Sequence, residues 1–170
     1  MFTSNHQFGF KSNHATNQCI FILKEICSNF NLSGSPVYVA FLDAEKAFDT
    51  VCHWILFDKL LQRGIPSVFV RILLYWYSYQ EFYVKWASEL SSSFRVSNGV
   101  RQGSILSPTL FNVFMNDVSV QLSQLFSGCN AMNFNHLFYA DDSVLLAPSP
   151  HALQELLDIC VKYAECNGIK

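Results

Sequence analysis

Five consecutive residues, Tyr139-Ala140-Asp141-Asp142-Ser143, constrain this chain more than any others. Leu137 and Phe138 precede them, and Val144, Leu145 and Leu146 follow. An apolar run, two acids and a second apolar run read as a β-hairpin with the acids at its turn. An ionised carboxylate is costly to bury unless it is paired or bound to a metal. The pair is therefore either a solvated Asp-rich turn or a place where a cation is held. A second strand end bears on that choice. Val37-Tyr38-Val39-Ala40-Phe41-Leu42 is apolar throughout, the pattern of a central strand covered on both faces, and it ends at Asp43. If the two strands are neighbours, three carboxylates converge at one sheet edge. Hard divalent cations prefer oxygen ligands, and Mg²⁺ usually keeps waters and takes substrate phosphates as well. Two such ions about 4 Å apart can clamp the attacking and leaving oxygens of an in-line phosphoryl transfer.

With 170 residues, 51% apolar and 14% charged, the chain can bury one real core, and disorder is not expected. Charge is unevenly spread. Residues 1–101 hold nine Lys/Arg against seven Asp/Glu, a net +2, and residues 102–170 hold two against six, a net −4. A free-standing nucleic-acid binder is normally more basic. Either the basic surface lies elsewhere in a longer protein, or nucleic acid is not the partner. The cysteines, Cys19, Cys27, Cys52, Cys129, Cys160 and Cys166, form no CxxC pair and have no histidine at zinc spacing. Reduced core thiols in an intracellular protein, nuclear or cytoplasmic, are expected. Met1 to Asn13 has no apolar secretory stretch. Val68 to Tyr77 is too short for a membrane span and contains Arg71.

Along the chain, Cys19, Ile20, Leu23, Ile26, Cys27 and Phe30 recur at helical spacing over Thr16 to Phe30. Helices are also expected over His53 to Arg63, stopped by Gly64, and from Pro66 to Tyr79. Phe82 to Trp86 and Phe94 to Val96 read as strands across a turn at Ser88 to Ser93. Asn98 to Leu106 is a glycine-bearing loop. Ser107-Pro108 and Ser149-Pro150 each read as a capping hydroxyl followed by proline at a helix start, and Asn167-Gly168 as a stop. A Gly/Asn-rich loop precedes the acid hairpin. The fold class is α+β: an antiparallel sheet with helices packed on one side.

Three segments, in order, resemble the reverse transcriptases of non-LTR retrotransposons. Phe41-Leu42-Asp43-Ala44-Glu45-Lys46-Ala47-Phe48-Asp49-Thr50-Val51 is similar to the family's first palm motif. Asn98-Gly99-Val100-Arg101-Gln102-Gly103-Ser104-Ile105-Leu106-Ser107-Pro108, continued by Leu110-Phe111-Asn112 and Asn116-Asp117, is similar to its substrate-handling motif. Phe138-Tyr139-Ala140-Asp141-Asp142 is similar to its metal-binding hairpin. Gln7-Phe8-Gly9-Phe10 looks like the segment before the family's first palm helix, in which Asn13 and Ala15 replace a common glycine and serine.

The resemblance implies a polymerase palm that joins dNTPs to a DNA primer on an RNA template, using two Mg²⁺ ions that Mn²⁺ can replace. Asp43 and Asp141 would ligate both ions, Asp142 would be the less strict third acid, and the Ala44 carbonyl would complete one shell. Phe48 would lie under the sugar of the incoming nucleotide and exclude a 2′-hydroxyl. Gln102 and Gly103 would contact that nucleotide and the templating pair. Arg101 would touch backbone phosphate or form a surface salt bridge. Asp49 reads better as a cap for the His53 helix, Glu45 and Lys46 as a solvated turn, and the five histidines as ordinary. The family's basic fingers and its thumb lie outside the matched stretch. The chain therefore reads as one partial domain, with residues 1–36 a fingers segment and 37–170 a palm core truncated at its C-terminus. Apolar surface left uncovered would make it poorly soluble alone. Two alternatives stand beside the polymerase: a truncated, inactive retroelement remnant, and an unrelated two-metal nuclease or phosphatase. The latter shares the acids but has no use for Phe48 or the Gln102 loop. RNA-dependent RNA polymerases and telomerase-type enzymes would share the palm chemistry, and by resemblance the wording of the motifs argues against both.

Overall fold

The hairpin forms where the two apolar runs place it. In the computed structural model, which describes residues 3–125 and 134–169, β4 (His136–Tyr139) pairs antiparallel with β5 (Asp142–Ala147), from His136 opposite Leu145 to Tyr139 opposite Asp142. Ala140-Asp141 is left as a two-residue turn. Ala140 has φ 59°, the left-handed region that tight hairpins require and that a residue with a Cβ enters only at a cost. On its other edge β5 pairs antiparallel with β1 (Tyr38–Leu42), Leu42 opposite Ser143. The sheet order is β1-β5-β4. The N-terminal segment runs parallel beside β4: the Phe8 N–H donates to the Phe138 carbonyl and the Phe138 N–H to the His6 carbonyl, each at 2.8 Å.

Two expectations about this sheet are corrected. The central strand is β5, and the apolar run of residues 37–42 forms an edge strand with Phe41 72% exposed. Apolar content reports what a strand can bury, not how many strands flank it. Helices also cover both faces rather than one. On one face α1 (Thr16–Leu32) packs Ile26 with Phe8, Leu137 and Leu146. On the other, α5 (Ser107–Gln124) and α6 (Pro150–Asn167) bring Phe111, Phe114, Leu156 and Tyr163 against Phe138, Leu145 and Ala147. Successive residues of β4 and β5 point to opposite faces, and both sets are apolar, so both faces need a cover.

Beside the sheet, α2 (Ala47–Thr50), α3 (His53–Gln62) and α4 (Ser67–Tyr79) follow β1. Leu56, Phe57 and Leu60 bury into the larger core. Lys59, 8% exposed, pairs with Asp117 of α5, as does Arg63 at 2.7 Å. Burial alone would raise the Asp117 pKa, but the two cations hold it below the usual carboxylate value. The Lys59 ammonium also lies over the Tyr163 ring, 5.1 Å from its centroid.

The helix ends divide by mechanism. Ser149 caps α6, accepting from the Ala152 N–H at 3.2 Å, and Gly168 at φ 70° stops it. Ser107 is not a cap. It is the first residue of α5, which begins after Leu106 without a side-chain cap. Nor does Asp49 cap α3, which starts after Cys52 without a side-chain bond. The expected strands Phe82 to Trp86 and Phe94 to Val96 shrink to β2 (Lys85–Trp86) and β3 (Glu89–Leu90), joined across Ala87-Ser88, with a single Phe82–Phe94 bridge below. The turn comes early because Ala87 adopts φ 52°.

All three tryptophans lie at the surface: Trp54 is 70% exposed, Trp76 44% and Trp86 83%. Cys19, Cys27, Cys52, Cys160 and Cys166 are free thiols. Cys129 and the Gly/Asn-rich stretch 126–133 lie outside the described residues. Among the described residues, no helix is long and apolar enough to cross a membrane.

Candidate active site

Strand pairing gathers the acids. Leu42 faces Ser143 across the β1–β5 ladder, so one further step brings Asp43 to the end where β5 begins with Asp142. Asp141 occupies the turn. The three carboxylates do not share one space. Asp43, Ala44 and Asp141 line a cavity of about 180 Å³ between the sheet end and the α5–α6 face, walled by Met115, Phe138 and Tyr163. Asp43 and Asp142 line a second cavity on the α1 side, with Cys19 and Leu23.

Among the described residues, no three His, Cys, Asp or Glu side chains gather closely enough to hold a metal by themselves. The donor chemistry nevertheless suits Mg²⁺, which takes one or two carboxylates and completes its shell with water and substrate phosphate rather than in an all-protein cage. Asp43 and Asp141 on one cavity are such a pair, and Ala44 lines the same cavity.

The turn that carries Asp141 is held by a residue that sequence reasoning placed only by resemblance. Gln7 is 4% exposed. Its Oε1 accepts from the Ala140 N–H at 3.0 Å and from the Gly9 N–H at 2.8 Å, and its Nε2 donates to the Ala140 carbonyl at 3.1 Å. Asn112 Nδ2 donates to the Gly9 carbonyl at 3.0 Å. No local pattern could have revealed this, because Gln7 and Ala140 are 133 residues apart. His136, the first residue of β4, is fully buried, and its partners decide which ring nitrogen carries the proton. Asn135 Nδ2 donates to the Leu122 and Leu125 carbonyls at 2.7 and 3.0 Å, which turns its Oδ1 toward His136 Nδ1 at 2.6 Å. Nδ1 must then carry the proton, and Nε2 accepts from the Ser119 hydroxyl at 2.7 Å. Burial, with His6 adding repulsion, lowers its pKa to about 3.

The other expected site residues form a second cluster. Phe48 is half-buried, stacked on Phe111 with centroids 4.4 Å apart and an 11° tilt, and met edge-on by Phe10. The 98–106 loop docks on the backbone around it. The Val100 N–H donates to the Phe48 carbonyl at 2.8 Å, the Gly99 N–H to the Val51 carbonyl at 2.7 Å, and His53 Nε2 to the Gly99 carbonyl at 2.7 Å. A Cβ on Gly99 would meet Asp49 and Phe48 backbone atoms at 3.0–3.1 Å, so the close approach needs glycine there. Gln102 is exposed, and its Nε2 donates to Asp49 Oδ1 at 3.2 Å. Gly103, at φ 81°, has open space around it. Among the described residues, Arg101 makes no salt bridge. It donates to Gln80 at 3.0 Å and lies over the Trp76 and Phe82 rings. Neither acid-lined cavity is walled by Phe48, Arg101, Gln102 or Gly103.

Known proteins resemble this chain in sequence and in fold. A family model described as "Reverse transcriptase (RNA-dependent DNA polymerase)" matches residues 1–170. A retrovirus-related Pol polyprotein from a type-2 retrotransposable element of Drosophila melanogaster is 34% identical over 134 residues, covering 78% of this chain and 13% of that protein. The RNA-directed DNA polymerase from mobile element jockey of Drosophila funebris is 32% identical over 168 residues, covering 93% of this chain and 18% of that protein. The chain thus spans less than a fifth of these relatives. The solved telomerase of Candida albicans shares the fold, with a TM-score of 0.58 at 14% identity over 92% of this chain and 29% of that one. With its α+β sheet, its acid hairpin and these matches, the chain belongs to the reverse transcriptase family, of the non-LTR retrotransposon kind.

Proposed function

We propose that residues 37–170 are the palm core, and residues 1–36 a part of the fingers, of an RNA-templated DNA polymerase that works within a longer protein. Fingers and thumb elements elsewhere in that protein would supply the basic grip on template and primer. The observation that carries this reading is the meeting of Asp43 and Asp141 on one cavity, delivered there by strands flanking β5 and by its turn. Asp43 and Asp141 would hold two Mg²⁺ or Mn²⁺ ions, with Ala44 offering its carbonyl and Asp142 a further carboxylate from the α1 side. The chemistry such ions supply is charge stabilisation of the attacking and leaving oxygens during phosphoryl transfer.

The chain's own residues do the rest by position. Phe48, stiffened by its stack on Phe111, presents a ring edge beneath the sugar of an incoming dNTP. A ring anchored on both sides cannot yield to a 2′-hydroxyl, which is the physical basis for favouring dNTP over rNTP. Gln102 and Gly103 face solvent in a loop whose backbone is tied to the Phe48 segment, so a nucleotide seated on Phe48 lies within their reach. Arg101, spread over Trp76 and Phe82, offers a cation at the same surface for phosphate.

Primer extension tests the reading: oligo(dT) on a poly(rA) template with Mg²⁺ or Mn²⁺, beside Asp141→Asn. Loss of a metal ligand is expected to remove about 4 kcal/mol of transition-state stabilisation, on the order of a thousandfold in rate. Incorporation by the native chain that disappears in the variant supports the proposal. Absence of incorporation from both would favour the inactive remnant.

A further inference from the structure

We propose that Gln7 is a positioning residue: its side-chain amide locks the Ala140-Asp141 turn and thereby sets the affinity of the Asp43–Asp141 pair for a divalent cation. The inference rests on reading those acids as metal-holding, and it adds a residue to which that reading gives no part.

The geometry is that of a side chain standing in for a strand. Backbone pairing of β4 with the N-terminal segment reaches Phe138, which exchanges bonds with His6 and Phe8. Two residues later the chain turns, and Ala140 is 7% exposed with φ 59°. No strand can follow it there. The Gln7 amide takes over, accepting from the Ala140 N–H and donating to the Ala140 carbonyl, so both backbone groups of one buried turn residue are met by one side chain. Buried backbone groups without partners are rare, and few other side chains carry a donor and an acceptor in this fork. Ala140 immediately precedes Asp141, so its dihedral angles decide where the Asp141 carboxylate is carried. Ligands of a metal must be held closely in place by the groups behind them.

The surroundings fit the same purpose. A Cβ on Gly9 would lie 2.3 Å from the Ala140 nitrogen, so the 7–9 segment lies as close against the turn as a chain can. Asn112 of α5 then ties the Gly9 carbonyl to the core. The turn is thus gripped by the N-terminal segment and, through it, by the helix that walls the acid-lined cavity.

Two variants in the 170-residue chain test this. Gln7→Met keeps length and bulk but no hydrogen bonds. Gln7→Glu keeps the acceptor for the Ala140 and Gly9 N–H groups and loses the donor. The readouts are backbone amide exchange at Ala140, melting temperature, and Mn²⁺ affinity by electron paramagnetic resonance, with Asp43→Asn as the control for binding at the acids. Gln7→Met is expected to speed Ala140 exchange about tenfold or more and to weaken Mn²⁺ binding 10–100-fold, as loss of a ligand's supporting partner does, with a cooperative melt retained. Gln7→Glu sets a carboxylate oxygen against the Ala140 carbonyl and should speed Ala140 exchange less than Gln7→Met does, with a matching, smaller loss of Mn²⁺ affinity, a correlation that packing alone would not produce. Unchanged exchange and unchanged Mn²⁺ affinity in Gln7→Met would overturn the proposal. If Gln7→Met does not fold, Gln7→Glu decides: native Mn²⁺ affinity there overturns it. If native protein and Asp43→Asn bind Mn²⁺ alike, the metal reading fails and takes the affinity claim with it, while Ala140 exchange still tests the lock.

Discussion

Two short irregular segments present the residues proposed for chemistry, and each is served by a glutamine. They are held in opposite ways. At the acid turn, Gln7 is buried and bonds to backbone through both ends of its amide. In the 98–106 loop the backbone is tied down at Gly99 and Val100, while Gln102 and Gly103 stand in solvent on one 3.2 Å bond to Asp49. One segment fixes its side chains by fixing what lies behind them, and the other fixes its backbone and leaves its side chains loose. Acids that share a cation must not move. A group that greets successive substrates must be able to.

The contrast can be strained first with acid. His136 lies only on the hairpin side, and its pKa in the folded protein, about 3, is below its ordinary value of 6.5. Below pH 6.5 the unfolded chain takes up a proton that the folded chain refuses, so stability is complete above that pH and falls as acid is added toward pH 3. The expected slope is roughly 1.4 kcal/mol per pH unit, several kcal/mol in all. Asp117, its pKa held low by Lys59 and Arg63, adds a loss of the same sign at lower pH. Urea unfolding at pH 7, 6, 5 and 4 measures this. Amide protection in β4 and β5 should fade before that at Gly99 and Val100, and the reverse order would break the contrast.

Gly9→Ala comes next. Its Cβ would meet backbone, which cannot swing aside, and the expected cost is about 3 kcal/mol, read by chemical denaturation. Phe48→Ala follows at about 2 kcal/mol, since its ring is half-buried on Phe111. If the polymerase reading holds, the same variant admits rNTPs in the primer-extension assay. Gly103→Ala meets open space and pays only for its φ of 81°, about 1 kcal/mol. Smallest is Gln102→Ala, within about 0.5 kcal/mol of native stability. A melting curve for Gln102→Ala as damaged as that for Gly9→Ala would show the loop to be as rigid as the turn.

Much of this was legible in the sequence, and the failures have one cause. The hairpin showed because its strands are apolar beside two acids, and α6 showed because Ser149, Pro150 and Gly168 mark its ends locally. What failed depended on neighbours far along the chain. Nothing in the Val37–Leu42 run says that only one strand will flank it. Asp49 reads as a cap for the next helix until a loop more than fifty residues on brings Gln102 to it. Ala87 takes a left-handed turn without any glycine or asparagine to announce it. Gln7 showed only through a resemblance, which said nothing of its partner. For the site, the acids were visible because their chemistry is intrinsic to them, whereas the residue that holds them still is defined only by its partner.

The placement of Trp54, Trp76 and Trp86 has an optical consequence. The indoles of Trp54 and Trp86 already sit in water when the chain is folded, and that of Trp76 is partly open beside Arg101. Native emission should therefore be red-shifted, quenched readily by acrylamide, and little altered when urea unfolds the core. The tyrosines buried at positions 77 and 163, and circular dichroism, would report unfolding in its place. Tryptophan light is left to report encounters: whatever comes to cover α4 or the β2–β3 turn would move the spectrum to the blue without any change of fold.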